Sequence, residues 1–402
     1  MTAKPPGSVG STSWQRPLVV AGICAAVGVA VHLAGLRVPV PLVAIGLGIG
    51  LIGAAFMLAW AADAGEAVFA GGLVLAAVAL VSVLPEYLVE VHFAFIQETE
   101  LVTANLTGAT RVLLTGATGL PLVVALLARR KHSVSAAIEI SPNRRLELGI
   151  LLVSAIFAVQ IVARASLTVF DGVFLLALYV IYAFRVQGTP DEEPAVVGVA
   201  AGLLSLPPRY RRAAVAGLMV AASAVVLMIA APFADALLAA GTQLGFDPYL
   251  LIQFLVPLAT EAPEFVVVAV LVANRRPAQG LAVFLASSVS QWTLGLGSLP
   301  FAFLAGGGGI ALPVAGREQI ELGLTSAVTL FAVAALVTLR PERVDALLIA
   351  GVFVVQLINP TPFVRFFCAF VLTVFAIDLL VSRRRSVRPL LRVAFGRRRR
   401  PG

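Results

Sequence analysis

The sequence predicts an all-α polytopic membrane protein with about twelve transmembrane helices, forming two inverted five-helix repeats with broken helices and one extra helix at each end. Three observations predict this fold. Of the 402 residues, 60% are hydrophobic and 12% are charged, about half the charged content of soluble domains. Apolar runs of about 20 residues, the length that crosses a bilayer, recur along the whole chain. Proline–glutamate pairs interrupt two of these runs, one in each half.

The apolar runs define the predicted helices. The third, fourth, eighth and ninth runs are long or interrupted, as broken helices are. The twelve runs cover about 17–36, 39–61, 66–97, 101–128, 147–164, 168–185, 213–232, 248–273, 279–304, 318–339, 343–358 and 363–382.

Basic residues alternate between the connections, and this alternation predicts the orientation. With the N-terminus inside, the outer connections hold only Arg37, Arg164, Arg317 and Arg365, and the other arginine clusters face the cytoplasm. We therefore predict an integral protein of a bacterial-type plasma membrane with both termini cytoplasmic. This orientation explains the basic residues that give the chain its net charge of +8. No nucleic-acid partner is expected, because aromatic residues are not interleaved with the basic clusters.

Internal repeats relate the two halves. Residues 146–149 (Leu-Glu-Leu-Gly) return as 320–323 (Ile-Glu-Leu-Gly), an offset of 174, and Glu86 returns as Glu264, an offset of 178. Five spans per repeat is an odd number, so the second repeat enters the membrane inverted, as in many secondary transporters. Glu147 and Glu321 lie near span ends and are expected to cap helices or to extend to the interface.

The predicted organisation follows from these repeats. The middle of the linker, 195–206, is apolar enough to lie on the membrane surface. The segments are a cytoplasmic tail (1–16), an extra helix (17–36), the first repeat (37–186), a cytoplasmic linker (187–212), the second repeat (213–358), a second extra helix (359–382) and a basic cytoplasmic tail (383–402).

Carboxylates beside prolines form the candidate ion site. Glu86 and Glu264 lie inside apolar runs, where an ionised group is most expensive and is functional by default. The proline before each frees backbone carbonyls, which a bound ion or water then satisfies. The following spans supply Asn105 in the first half and Ser287 in the second. Two broken helices crossed by polar helices would form a cage of oxygen atoms, which suits Ca²⁺, Na⁺ or H⁺ better than a soft metal.

These stretches resemble the two alpha repeats of the sodium/calcium exchanger family, within the calcium/cation antiporter superfamily. The family spacings of 19 and 22 residues are met by Glu86 to Asn105 and Glu86 to Gly108. The resemblance implies that Glu86 and Glu264 are the central cation ligands. It also implies supporting oxygen donors at Ser82, Thr260 and Ser287.

The chain departs from the family pattern in ways that bear on the transported ion. Leu113 and Gln291 stand where the family supplies a further Asn or Asp, and Arg111 stands at an apolar position. Glu90 and Glu261 are carboxylates that the family pattern does not require. Because burial favours the neutral form of a carboxyl group, these extra carboxylates favour H⁺ as one of the exchanged ions.

Glu90, Glu261, Arg111 and Gln291 are therefore the predicted proton or secondary ion site. Glu90 lies four residues after Glu86, so both side chains project from one helical face. We expect Arg111 to pair with Glu90 or Glu86 and to substitute a permanent positive charge for one bound cation.

The predicted function is a secondary active cation antiporter that exchanges Ca²⁺ or Na⁺ against Na⁺ or H⁺ by alternating access. Two alternatives stay open: a transport-inactive or sensor-like relative of the antiporters, and a cation channel. No nucleophile, metal-cluster or nucleotide motif indicates an enzyme, and no cofactor is expected besides the transported ions. The expected partners are inorganic cations and membrane lipids, with anionic lipid at the basic C-terminal tail. The sequence leaves the exchanged pair, the stoichiometry and the oligomeric state open.

Overall fold

The computed structural model describes residues 14–35, 39–69, 83–130, 140–186 and 196–395. It divides the chain into two compact units, unit 1 with residues 1–85 and 191–243, and unit 2 with residues 86–190 and 244–402. In the part of the chain that is described, seven helices are long and apolar enough to cross a membrane, and one bent helix pair makes an eighth candidate. The protein is thus a helical polytopic membrane protein, and the count of twelve spans stays a prediction.

Unit 1 is built on helices that approach each other through small residues. Its helices are α1 (Gln15–Ala34), α2 (Val40–Val68), α7 (Gly198–Leu204) and α8 (Pro208–Leu244). A Cβ atom on Gly28 of α1 would lie 2.7 Å from the Cα atom of Gly50 on α2. Such close backbone approach is how membrane helices gain packing without a hydrophobic driving force.

The linker helix α7 buries one apolar face. Val199, Ala200 and Leu203 are buried in a hydrophobic cluster with Ala64 of α2 and Val215 of α8. These three residues therefore pack inside unit 1, and the position of the segment relative to the membrane surface stays a prediction.

Unit 2 contains the remaining elements. A two-stranded antiparallel sheet pairs Ser166 with Pro313 and Thr168 with Ala311, and it was not expected from the helical pattern. The elements are α3 (Leu84–Phe95), α4 (Thr99–Arg130), α5 (Arg145–Arg164), β1 (Ser166–Thr168), α6 (Val169–Val186), α9 (Pro248–Thr260), α10 (Ala262–Ala273), α11 (Pro277–Ser290), α12 (Leu296–Ala305), β2 (Ala311–Pro313), α13 (Arg317–Leu336), α14 (Arg343–Ile358), α15 (Pro362–Ser382) and α16 (Arg384–Phe395).

The eighth predicted span is broken, as expected. Helix α9 ends at Thr260, α10 begins at Ala262, and the pair is bent by 51°. Pro263 lies in the first turn of α10, where its missing N–H has no intrahelical partner to lose. The break therefore leaves Glu261 between two helix ends.

The fourth and ninth predicted spans differ from each other. Helix α4 runs through the fourth span as one continuous helix. In the ninth span, a single π-helical segment, Gln291–Gly295, joins α11 to α12. Such π-helical turns are frequent at functional sites.

Helix α4 is central to unit 2. It packs against α9, α11, α13 and α14. At the crossing with α9, a Cβ atom on Gly108 would overlap the backbone carbonyl of Gln253. Glycine at this position is what allows the two backbones to touch.

Candidate cation-binding site

Four carboxylates gather around the broken helix. Glu86 and Glu90 lie one turn apart at the start of α3, and both are buried. Glu261 is fully buried at the break, and Glu264 is half-buried in the first turn of α10. Glu86 lies within electrostatic range of the other three, and Glu261 lies within range of Glu90. The structure therefore brings the carboxylates of both halves of the chain to one place.

Two of these carboxylates are each held by a side-chain amide. The Nδ2 atom of Asn105 on α4 donates to Oε1 of Glu90 at 3.3 Å. The Nε2 atom of Gln291 in the π-helical segment donates to Oε1 of Glu261 at 3.3 Å. Each half thus contributes a buried glutamate and a buried amide from the crossing helix.

Each carboxylate–amide pair has two oxygen atoms without a hydrogen bond. In the described residues, the second carboxylate oxygens of Glu90 and Glu261 accept no hydrogen bond, nor do the carbonyl oxygens of Asn105 and Gln291. Buried polar atoms are nearly always paired, so unpaired ones need an explanation. Carboxylate and amide oxygens are ligands of hard cations, which makes these four atoms candidate ligands.

The π-helical segment exposes its backbone to this site at Gly295. A Cβ atom there would lie 3.1 Å from Oε2 of Glu90 and 3.3 Å from Oε1 of Gln291. Two of the unpaired oxygens, one from each half of the chain, therefore approach the same glycine. Any larger side chain would have to displace both.

The other predicted ligands have different placements. Thr260 is buried at the end of α9, where its hydroxyl donates to the carbonyl of Val256 at 3.1 Å. Ser287 is half-buried on α11. Ser82 lies outside the described residues. No group of three or more His, Cys, Asp or Glu side chains among the described residues is arranged to hold a metal ion, so amide and hydroxyl oxygens would have to complete the coordination of a cation.

The expected pairing of Arg111 with Glu90 or Glu86 is wrong. Nη2 of Arg111 lies 2.7 Å from Oε2 of Glu321 on α13, and Nη1 donates to Oε1 of Gln356 on α14 at 2.6 Å. The arginine side chain is directed toward α13 and α14 because α4 packs against both helices.

Glu321 also differs from its expected role at a span end. It is fully buried, and it pairs with both Arg111 and Arg365. Arg365, assigned to an outer connection, is 2% exposed in the first turn of α15. Gln253 of α9 joins them, donating to Oε2 of Glu321 at 3.0 Å and accepting from Nη2 of Arg365 at 3.1 Å. We call Arg111, Gln253, Glu321, Gln356 and Arg365 the arginine cluster.

Four members of the arginine cluster were missed as site residues, although the sequence carries a signal for them. Gln253, Gln356 and Arg365 each stand within an apolar stretch, and Glu321 lies in the repeated Ile-Glu-Leu-Gly motif. Intramembrane polar residues are functional candidates by default. Applied to every polar residue of the apolar runs, that rule selects all four.

A polytopic helical membrane protein with repeated, buried carboxylates beside a broken helix belongs to the class of ion transporters. A family model described as "Sodium/calcium exchanger protein" matches residues 38–187 and 214–362. The chain therefore belongs to the sodium/calcium exchanger protein family, a family of exchangers and not of enzymes.

Solved structures agree with this family. A crystal structure of the H⁺/Ca²⁺ exchanger CAX is 28% identical, with 95% of this chain and 99% of that chain covered and a TM-score of 0.88. The Ca²⁺/H⁺ antiporter protein YfkE is 15% identical, covering 86% and 98%, with a TM-score of 0.60. The sodium–calcium exchanger NCX_Mj is 16% identical, covering 85% and 99%, with a TM-score of 0.51. The last two show likeness of fold alone. No curated protein sequence matches the chain.

Proposed function

We propose that this protein is a secondary active antiporter that exchanges Ca²⁺ or Na⁺ against Na⁺ or H⁺ by alternating access. One observation carries the proposal: two buried glutamates, one from each half of the chain, are each bonded to an amide of a crossing helix and each keep an unpaired oxygen. Glu86 and Glu264 complete the carboxylate site as its central ligands. The competing ions would bind this site in turn, so that one leaves before the other loads.

Ca²⁺ against H⁺ is the favoured pair. The four carboxylates provide hard, anionic oxygens that Ca²⁺ prefers, and a carboxylate is also the only one of these ligands that can take up a proton. Of the two positions that would supply further ligands, Leu113 offers no oxygen atom and Gln291 offers one unpaired amide oxygen, so the carboxylates outnumber the neutral ligands there. The 28% identical structure, solved for an H⁺/Ca²⁺ exchanger, supports the same pair.

A flux assay tests the proposal. The purified protein is reconstituted into liposomes, a single gradient of H⁺, Na⁺ or Ca²⁺ is imposed, and counter-ion flux is recorded with an internal dye. We expect Ca²⁺ uptake driven by an outward H⁺ gradient, abolished in Glu86→Gln and Glu264→Gln. Glu98→Gln, which removes an exposed carboxylate a few residues after α3, is the matched control and should transport normally.

Three outcomes would contradict the proposal. Ca²⁺ uptake that needs no counter-ion would indicate a channel. Flux that survives both central substitutions would refute the assigned ligands. Ca²⁺ binding without flux would indicate a sensor-like relative.

We further propose that α16 binds anionic lipid at the cytoplasmic surface of the plasma membrane. Leu390 and Ala394 face α5 and are fully buried, whereas Arg384, Arg385, Arg388 and Arg392 are exposed on the opposite arc of the helix. Exposed Leu391 lies at the edge of the arginine arc, and exposed Phe395 lies within it. An arginine surface beside a membrane attracts anionic headgroups by about 1 kcal/mol per charge.

Vesicle composition tests the lipid proposal. Flux is compared in phosphatidylcholine vesicles and in vesicles that also contain phosphatidylglycerol. We expect phosphatidylglycerol to raise the activity of the wild type but not of Arg388→Gln/Arg392→Gln. The control Arg212→Gln/Arg343→Gln removes the same charge from exposed residues elsewhere and should keep the lipid response. A lipid response that is equal in both double variants would refute a specific role of α16.

A further inference from the structure

The arginine cluster carries an unbalanced charge. Arg111 and Arg365 contribute +2, Glu321 contributes −1, and the two glutamines are neutral, so the cluster has a net charge of +1. All five side chains are at most 2% exposed. Arg317 and Asp247, which lie within electrostatic range of Arg365, form their own ion pair at 2.9 Å and add no net charge. The cluster therefore holds one buried positive charge that its own five members do not balance.

Most polar atoms of the cluster have partners, and among the described residues Nε of Arg365 is a cluster nitrogen with neither a hydrogen bond nor an ion-pair contact. Nε of Arg111 donates to the carbonyl of Thr107 at 3.0 Å, and its two terminal nitrogens reach Gln356 and Glu321. Gln253 adds a contact to Thr107 Oγ1 at 3.4 Å. An isolated buried charge is expensive, and its cost falls when an opposite charge lies nearby.

The opposite charge lies on the same helices. Arg111 follows Asn105, the partner of Glu90, by six residues on α4, which is about 9 Å along the helix axis. Gln253 precedes Glu261 by eight residues on α9, about 12 Å. One narrow gap is lined both by Thr107, which contacts Gln253, and by Gln291, which holds Glu261. The net positive cluster therefore lies about 9–12 Å along these helices from the amide that holds Glu90 and from Glu261.

We propose that the arginine cluster is a built-in countercharge that sets the affinity of the carboxylate site for divalent cations. It repels a cation bound at the carboxylates, and the repulsion is twice as large for Ca²⁺ as for a monovalent ion. At about 10 Å and an effective dielectric constant near 20, one unit charge changes the affinity for Ca²⁺ by about two orders of magnitude, and about tenfold is the smallest change that the inference allows. The inference rests on the proposed function, because it requires Ca²⁺ to bind the carboxylate site.

The sign of the charge change provides the test. Gln356→Glu adds a carboxylate where Arg111 already donates a hydrogen bond, so the cluster becomes neutral without an unpaired group. Glu321→Gln raises its net charge to +2. The double variant Gln356→Glu/Glu321→Gln restores +1 with the carboxylate moved.

Ca²⁺ binding to the purified full-length protein is measured by titration calorimetry, in the alkaline range where the dissociation constant no longer changes with pH and protons do not compete. We expect Gln356→Glu to bind Ca²⁺ at least about tenfold more tightly, Glu321→Gln at least about tenfold more weakly, and the double variant within about threefold of the wild type. The affinity for Na⁺, measured by its competition with Ca²⁺, should change by about the square root of these factors, because Na⁺ carries half the charge. Arg164→Gln, which removes a half-exposed charge at the end of α5, is the control and should bind like the wild type.

A merely structural cluster would respond differently. If Gln356→Glu and Glu321→Gln both weaken binding, or if neither changes it, the countercharge role is overturned. Should Glu321→Gln fail to fold, Gln356→Met decides, because it removes the hydrogen bond from Arg111 to Gln356 without adding a charge. If Gln356→Met tightened Ca²⁺ binding as much as Gln356→Glu, the countercharge role would also be overturned. A wild type that folds but binds no Ca²⁺ would instead refute the proposed function, whereas binding without opposite shifts refutes this inference alone.

Discussion

Arg111 Nη2 lies 2.7 Å from Oε2 of Glu321, and both side chains are buried. The two residues are 210 positions apart, one in each half of the chain. The pair joins α4 to α13, and Arg365 extends it to α15. The helix that holds Asn105 against Glu90 is thereby anchored to the second half of the protein.

Stability should depend strongly on this anchor. Glu321→Gln leaves two buried guanidinium groups without their carboxylate, so we expect the free energy of unfolding to fall by about 3–5 kcal/mol. Glu342→Gln breaks an ion pair to Arg383 of similar length, 2.8 Å, but Glu342 is 59% exposed, and the loss should stay below about 1 kcal/mol. Thermal unfolding in detergent measures both. Equal losses would contradict the anchoring role of Glu321.

Gly108 should tolerate no side chain. In Gly108→Ala, the new methyl group meets the carbonyl of Gln253, a backbone atom, so α4 and α9 must separate at a cost of about 1–3 kcal/mol. Gly119→Ala lies on the same helix with no neighbour within 4 Å. That control should instead stabilise the protein by up to about 1 kcal/mol, because alanine favours helix. If the unfolding midpoints of Gly108→Ala and Gly119→Ala moved in the same direction, the close approach of α4 to α9 at Gly108 would be refuted.

Gly295→Ala should weaken Ca²⁺ binding with little effect on the stability of the fold. Its Cβ would meet only the ends of three flexible side chains, those of Glu90, Gln291 and Leu106, so we expect a stability change below about 1 kcal/mol. Glu90 and Gln291 belong to the proposed site, and displaced ligands or supporting groups typically cost 10- to 100-fold in metal affinity. We expect Ca²⁺ binding to weaken by about tenfold in calorimetry.

The control for Gly295 is Gly351→Ala on α14, which has no neighbour within 4 Å. It should leave Ca²⁺ affinity unchanged. If Gly295→Ala also binds normally, the oxygens around Gly295 are not part of the site.

The position of α16 should depend on Gly149. A Cβ atom there would lie 2.9 Å from the carbonyl of Leu390 and 3.0 Å from Ala394 Cβ, so Gly149→Ala should push α16 away from α5. Gly323→Ala changes the repeat counterpart of Gly149, whose Cβ would meet only Val162 at 3.7 Å. Amide hydrogen exchange over 384–395 should speed up in the first variant alone. Unchanged protection in Gly149→Ala would refute the contact.

Several site features could be predicted from residue chemistry alone. A carboxylate inside an apolar run is expensive wherever the helix lies, so Glu86, Glu90, Glu261 and Glu264 stand out without any tertiary information. The break at Glu261 follows from Pro263, whose ring would clash with the carbonyl of Ala259 in a continuous helix. The membrane fold and the family follow from run length and from the repeated motifs.

The partners of the polar residues could not be predicted in this way. Arg111 has Glu90 and Glu86 as its nearest carboxylates in sequence on the preceding helix, and yet it pairs with Glu321 from the other half. Helical periodicity specifies which face a residue occupies, but it does not specify which helix packs on that face. Arg365 illustrates the same point. Because it lies close to the start of the last predicted span, it was assigned to a connection, but the packing of α15 against α13 buries it.

The sequence by itself thus determined a polytopic helical membrane protein of the exchanger family with a proline–glutamate pair in each half, because those properties depend on local cost and on short-range geometry. Only the tertiary structure decided that Asn105 holds Glu90, that Gln291 holds Glu261, and that Arg111 and Arg365 share Glu321. These contacts depend on which helices lie side by side, and that choice is made by the packing of the whole unit.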